Sequence, residues 1–283
     1  MRYLGVQVIE TPESITVSTK PYADSLEEID VSPFYGLDRS AALEVKTPLR
    51  RASGQLMWIT SQNRIELCYE NCMLANSIAK STVKDLFQAN KLIRKAKSQP
   101  FPLTFPRNFD FGSCYIIAYG DASFANLPDS GSQGGHIVFL ADASGKFCPI
   151  TWQSKRLQRV VSSTIAAECL AVTKAAQASV HLRELLHEVL PNVLPTIHVY
   201  SDNKSLIESV HSSTSVDDKH LQINISVLRD MLKHELKELR WLPSDKNLAD
   251  CLTKSGASHE YLIRVLRNDL TFDIKSGVFV EKI

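Results

Sequence analysis

The chain has no apolar run near the about 18 residues that a membrane-spanning helix needs, so a membrane protein is not expected. It has little cysteine: six in 283 residues, scattered at 68, 72, 114, 148, 169 and 251. Only Cys68 and Cys72 share a helical face, and no second pair or zinc-spaced histidine accompanies them. That argues against a disulfide scaffold and a zinc module, and for packing cysteines in a reducing, intracellular compartment. The net charge is only +1, so nucleic acid could be bound only through a local basic patch. The first residues, MRYLGVQVIETPE, lack the apolar core of a signal peptide. They read as a strand entered at once (YLGVQVIE), as expected of a fragment from a longer protein.

The chain does have four acidic residues in separate short phrases: Asp121 in YGDASF, Glu168 in AAECLAV, Asp202 in VYSDNKS and Asp250 in NLADCLTK. Residues 1–45 read as two strands and a short helix, and 48–97 as helices broken at Gln62-Asn63-Arg64 and near Ser81. Pro100, Pro102 and Pro106 mark a boundary, which gives segments 1–107 and 108–256 and a tail, 257–283, with a short helix and a strand. From residue 113 the order is three strands, a long helix (163–190), a strand, two helices, a strand and a short helix around NLADCLTK. Such a meander followed by crossovers predicts a mixed five-stranded sheet with flanking helices.

On that plan Asp121 and Asp202 end neighbouring strands, Glu168 borders the packed face of the long helix, and Asp250 sits in the last helix. Alone, an aspartate at a strand end is more often a turn former or helix cap, and Asp202 before Asn203-Lys204-Ser205 fits a cap. Together the four make a hard-oxygen cluster, which cannot stay ionised without a cation. Two Mg²⁺ ions, with Mn²⁺ as a substitute, would relieve the repulsion and activate a water. The basic group Lys155, Arg156 and Arg159, with Ser154, enters the long helix and is placed either to hold phosphate or to form a solvated turn. Asn203 is a helix cap or a contact to sugar or base. Trp152 and Trp241 read as core residues.

These phrases carry a resemblance. AYGDASFAN, ITWQSKRLQRVVSSTIAAECLAVTKA, VYSDNKSLIE, DDKHLQINISVLRDML and ELRWLPSDKNLADCLTK resemble, in order, the ribonuclease H domain of copia-type retrotransposon reverse transcriptases. The resemblance implies an α/β, ribonuclease H-like fold preceded by a mainly helical polymerase remnant. It implies Asp121, Glu168, Asp202 and Asp250 as metal-binding acids, and Mg²⁺-dependent hydrolysis of the RNA strand of an RNA–DNA hybrid. Residues 1–107 resemble the end of the polymerase palm, the thumb and the connection, with the rest of the polymerase as the implied partner. No Tyr-x-Asp-Asp occurs, so no DNA synthesis is expected of this chain alone. Two features depart from the pattern. The loop Pro243–Asn247 lacks the histidine found there in cellular ribonucleases H, and SSTIAAE replaces a Ser-Ser-Thr-Glu-Ala-Glu run. The alternative reading is a catalytically silent, decayed or co-opted element that binds nucleic acid or a protein partner.

Overall fold

The computed structural model describes residues 1–41, 46–98, 102–213, 216 and 218–282. It divides into two compact units, Met1–Thr104 and Phe105–Ile283, a few residues before the boundary expected from the prolines. The first unit is mainly helical. Strands β1 (Arg2–Tyr3), β2 (Val6–Glu10) and β3 (Ser14–Ser18) run antiparallel. The single strand expected over residues 3–10 is instead broken by a tight turn, in which Gly5 takes a φ of 85° open to few side chains. Helices α1 (Lys20–Asp24), α2 (Thr47–Gln62), α3 (Cys68–Ser77) and α4 (Val83–Ser98) follow. Leu49, Leu56, Ile59, Leu86 and Ile93 lie in their shared core, at the three- and four-residue spacing of the sequence. Strand β4 (Leu103–Pro106) straddles the division.

The second unit is built on a five-stranded sheet. Strands β5 (Tyr115–Ser123), β6 (Gln133–Ala141) and β7 (Phe147–Arg156) form the antiparallel meander. Helix α5 (Thr164–Val189) crosses over to β8 (Thr196–Ser201), which lies parallel to β5. Helices α6 (Lys204–His211) and α7 (Lys219–His234) then lead to β9 (Glu238–Trp241), parallel to β8. The order β7-β6-β5-β8-β9 is the mixed, ribonuclease H-like sheet expected from the sequence. Central β5 is almost wholly buried, as a strand covered on both faces must be.

Local sequence explains why the crossover works. Ser163 is extended and its hydroxyl accepts the Ala166 N–H, so α5 starts where the polar run ends. Its buried face carries Ala166, Ala167, Ala171, Ala175 and Ala176, small enough to seat the helix close to the sheet. At Gly120 the approach is closest. A Cβ there would lie 3.0 Å from the Val172 Cα, in the helix backbone.

The end of the chain departs from expectation in two ways. The short helix around NLADCLTK is only a 3-10 turn, Asp250–Leu252. In residues 257–282 the expected helix and strand are present as α8 (Glu260–Leu266) and β11 (Val278–Glu281), and a further strand, β10 (Leu270–Asp273), pairs with β11 in a hairpin. Phe279 of this hairpin packs against Tyr119, Phe139, Phe147 and Phe272, with ring centroids 4.6–6.4 Å apart, and is 2% exposed. The hairpin thus covers the sheet face opposite α5. Phe279→Ala should lower stability by about 3–5 kcal/mol, the cost of emptying a core aromatic site. Urea denaturation checks this, and a loss below about 1 kcal/mol would show that the hairpin does not cover the sheet.

Candidate metal centre

The register of the sheet sets the site. Tyr119 pairs with Tyr200 across the parallel β5–β8 ladder, so Asp121 and Asp202, each two residues further on, stand side by side. Asp121 does not end its strand, since β5 runs two residues further, whereas Asp202 lies just past β8; alternation from Tyr119 and Tyr200 puts both on the face of those stacked rings. Close seating of α5 at Gly120 brings Glu168, just over one turn into the helix, to the same edge. One carboxylate oxygen from each of Asp121, Glu168 and Asp202 lies within 4.8 Å of the others. Asp250 stands outside this triad and reaches it through Lys254, whose ammonium bonds Asp250 Oδ1 and lies 3.7 Å from Asp121 Oδ1.

A second close approach holds Asp250 in place. A Cβ on Gly135 would lie 2.7 Å from the Leu252 Cβ and 2.9 Å from the Thr253 Cγ2, so only glycine lets the 3-10 turn rest on β6. Ser154 adds a tie: its hydroxyl donates to the Leu252 carbonyl (2.6 Å) and accepts from Gln133 Nε2 (2.9 Å). The sequence pointed to Ser154 as a phosphate contact, but its hydroxyl is engaged in fixing this turn.

Three residues that sequence reasoning passed over complete the site. Thr253 donates its hydroxyl to Asp121 Oδ2. Asn247 donates from Nδ2 to Asp202 Oδ1 (3.1 Å) and to the Gly120 carbonyl (3.2 Å). The loop without histidine therefore supplies an amide to the acid cluster. Lys254 is the third. Its signal was in plain view, a lysine four residues after Asp250, but DCLTK was read for the aspartate alone.

Burial dominates the electrostatics. It pushes the Asp121 carboxyl up to about 7, against the pull of Lys254 and Thr253, with Asp202 and Asp250 adding to the rise. Glu168 rises to about 9, first from burial and then from the neighbouring Asp121 and Asp202. Asp121 Oδ1 and Glu168 Oε2 are buried without a hydrogen-bond partner. Buried, unsatisfied carboxylate oxygens in such a cluster are costly alone, and carboxylates are the donors that a hard divalent cation takes. The residues fit such an ion.

The other sequence candidates lie elsewhere. Asn203 is a helix cap: its Oδ1 accepts the Leu206 N–H (2.9 Å). Trp241, expected in the core, is 43% exposed and donates its indole N–H to the Asp202 carbonyl (2.9 Å). Trp152 is half-buried on β7. Lys155, Arg156 and Arg159 do not sit at the tip of α5. They line a groove of about 500 Å³ between β6, β7 and the flank of α5, together with Lys174 and the buried His136. Arg156 is paired there with Asp129 (2.5 Å).

The Pol polyprotein of transposon TNT 1-94 from Nicotiana tabacum is 28% identical over 140 residues, covering 49% of this chain and 10% of that protein. The chain is similar to retrotransposon Pol polyproteins. That of transposon RE1 from Arabidopsis thaliana is 24% identical over 271 residues, covering 89% of this chain and 18% of that protein. The chain thus spans no more than about a fifth of the curated relatives it matches. No family model matches. Among solved structures, ribonuclease H1 from Halobacterium salinarum superposes with a TM-score of 0.37 at 17% identity, over 49% of this chain and 94% of that one. LC11 ribonuclease H1, solved in complex with an RNA/DNA hybrid, gives 0.36 at 18% identity, over 49% and 93%. Among the described residues, no helix is long and apolar enough to cross a membrane.

The raised carboxyls give stability a definite pH dependence. Without metal, folded Asp121 and Glu168 hold protons that the unfolded chain, at its ordinary values of 3.8 and 4.5, has released. Their contribution to stability is therefore fully present below about pH 4 and is lost as pH rises through 7 and towards 9. In EDTA the urea midpoint should drop over that window. Glu168→Gln should flatten the drop, and Mg²⁺ should raise the midpoint at about pH 8. A wild-type slope that the variant leaves unchanged would contradict the assignment.

Proposed function

We propose that this chain is the end of a retrotransposon reverse transcriptase, and that its second unit hydrolyses the RNA strand of RNA–DNA hybrids with Mg²⁺. The observation that carries the proposal is the triad of Asp121, Glu168 and Asp202 at the common end of two parallel strands, with oxygens left unsatisfied. A role as a silent binding element gives no reason for such a costly arrangement. Similarity to Pol polyproteins supports the same reading, in which residues 1–107 are the remnant of palm end, thumb and connection. The partner is then the polymerase portion of the same polyprotein.

When bound, Mg²⁺ (or Mn²⁺ in its place) supplies the positive charge that activates a water and stabilises the leaving oxygen of a phosphodiester. Asp121, Glu168 and Asp202 would hold it, with Asp250 as the fourth acid of the centre. Thr253 holds Asp121 through Oδ2 and Asn247 holds Asp202 through Oδ1, so both carboxylates keep their orientation while the charge changes. Trp241 fixes the backbone carbonyl of Asp202 from the exposed side.

A hybrid is recognised through phosphates and shape rather than sequence. The groove beside α5 offers Lys155, Arg159 and Lys174 to a strand, and its residues follow Glu168 along the same helix. From Glu168 to Lys174 the rise is about 9 Å, on the scale of one to two nucleotides.

Purified protein with Mg²⁺ should cleave a labelled RNA–DNA hybrid in its RNA strand, leaving 3′-hydroxyl and 5′-phosphate ends. Asp121→Asn and Asp202→Asn should reduce this to background. The double change Lys155→Glu and Arg159→Glu should weaken hybrid binding and lower its salt slope by about 1 per lost phosphate contact. Cleavage equal in wild type and both aspartate variants would overturn the catalytic reading.

A further inference from the structure

The four acids are not served alike. Glu168 Oε2 and Asp121 Oδ1 are buried with no hydrogen-bond partner, and with Asp202 they leave a place open to a cation. Asp121 Oδ1 also faces Asp250, and between those two acids the place is taken. Lys254 pairs with Asp250 Oδ1 and stands 3.7 Å from Asp121 Oδ1. Thr253 from the same turn occupies Asp121 Oδ2 and also donates to the Asp250 carbonyl (3.0 Å). The 3-10 turn brings both residues in together, and Gly135 holds that turn on the sheet.

We propose that Lys254 is a resident counter-cation that takes the place of a second divalent ion between Asp121 and Asp250, so that the centre binds one divalent ion tightly rather than two. This rests on the metal-centre reading above and revises the two-ion expectation drawn from the family resemblance.

Charge supports it. Ionised, the four carboxylates and Lys254 leave three net negative charges at the cluster. One divalent ion in the triad reduces this to a single negative charge. A second would leave the cluster positive while Lys254 remains, and it would have to enter the space the ammonium fills. Lys254 must therefore leave before a second ion can bind well. Its side chain is 42% exposed, so it can swing into solvent without disturbing the core, but it gives up two ion pairs in doing so. Those pairs are what a second ion has to overcome.

The test is Mn²⁺ binding to the whole chain, without substrate, followed by the electron paramagnetic resonance of free Mn²⁺ or by calorimetry. The proteins are wild type, Lys254→Met, Lys254→Arg and Asp121→Asn. Lys254→Met keeps the aliphatic stem and removes the charge, and Lys254→Arg keeps the charge. Wild type and Lys254→Arg should bind one ion tightly. Lys254→Met should bind two, its second site at least tenfold tighter than any second site of wild type. Asp121→Asn should lose the tight ion. Two tight ions on wild type, or the same count and affinities in wild type and Lys254→Met, would overturn the proposal and leave the metal centre standing. No tight Mn²⁺ on wild type or on Lys254→Met would overturn both.

Discussion

Everything at the working end of the second unit follows from placing like charges together out of water. Asp121 is fully buried and Glu168 nearly so, and each has other carboxylates of the cluster as neighbours. Such groups are destabilising unless hydrogen-bonded, paired or bound to metal. The surroundings supply part of the compensation, through the Thr253 hydroxyl, the Asn247 amide and the Lys254 ammonium. The rest is left undone at the oxygens that face inward. A fold that tolerates this cost must hold the acids rigidly, and two glycines make that possible. Gly120 lets α5 touch β5, and Gly135 lets the Asp250 turn touch β6. The acids converge because the backbones can.

The division of labour within the unit follows from the same geometry. Helix α5 and the C-terminal hairpin cover opposite faces of the sheet, α5 with small side chains and the hairpin with aromatic rings. Between them they leave the edge formed by the ends of β5 and β8 as the place where polar groups collect. Strand ends at a change of direction in an α/β sheet are the usual setting for a functional site. The basic groove beside α5 begins within two turns of Glu168, so a polyanion held in it would pass the acids. The half-exposed Lys254 stands at the opening of the cluster, where a charge can be exchanged with solvent.

Much of this was readable in the sequence, for physical reasons. Asp121 and Asp202 each follow an apolar run of strand length, and the intervening crossover helix makes those strands parallel neighbours. Their side-by-side placement needed no more than that. Glu168 was readable because its apolar neighbours fix the buried face of α5. Asp250 was expected on a helix, since a three-residue 3-10 turn has no periodicity to reveal it, and it stands outside the triad. Thr253, Asn247 and Lys254 were missed because each acts through a single contact across a turn. The strand holding Phe279 was expected, but its partner β10 was missed, because a strand of four residues carries too little alternation to announce itself. Ser154 shows the reverse error, and Asn203 takes the cap, one of the two readings left open for it. Their polar atoms invited a ligand, and the fold spends them on a turn and a cap.

The central claim is that three carboxylates from β5, α5 and the end of β8 make one divalent-metal site. Crystals grown with Mn²⁺ and measured for anomalous scattering test it most directly. The account predicts a strong peak about 2.0–2.3 Å from oxygens of Asp121, Glu168 and Asp202, with Lys254 Nζ still beside Asp250. An empty triad at saturating Mn²⁺, with Glu168 turned away from Asp121, would contradict it.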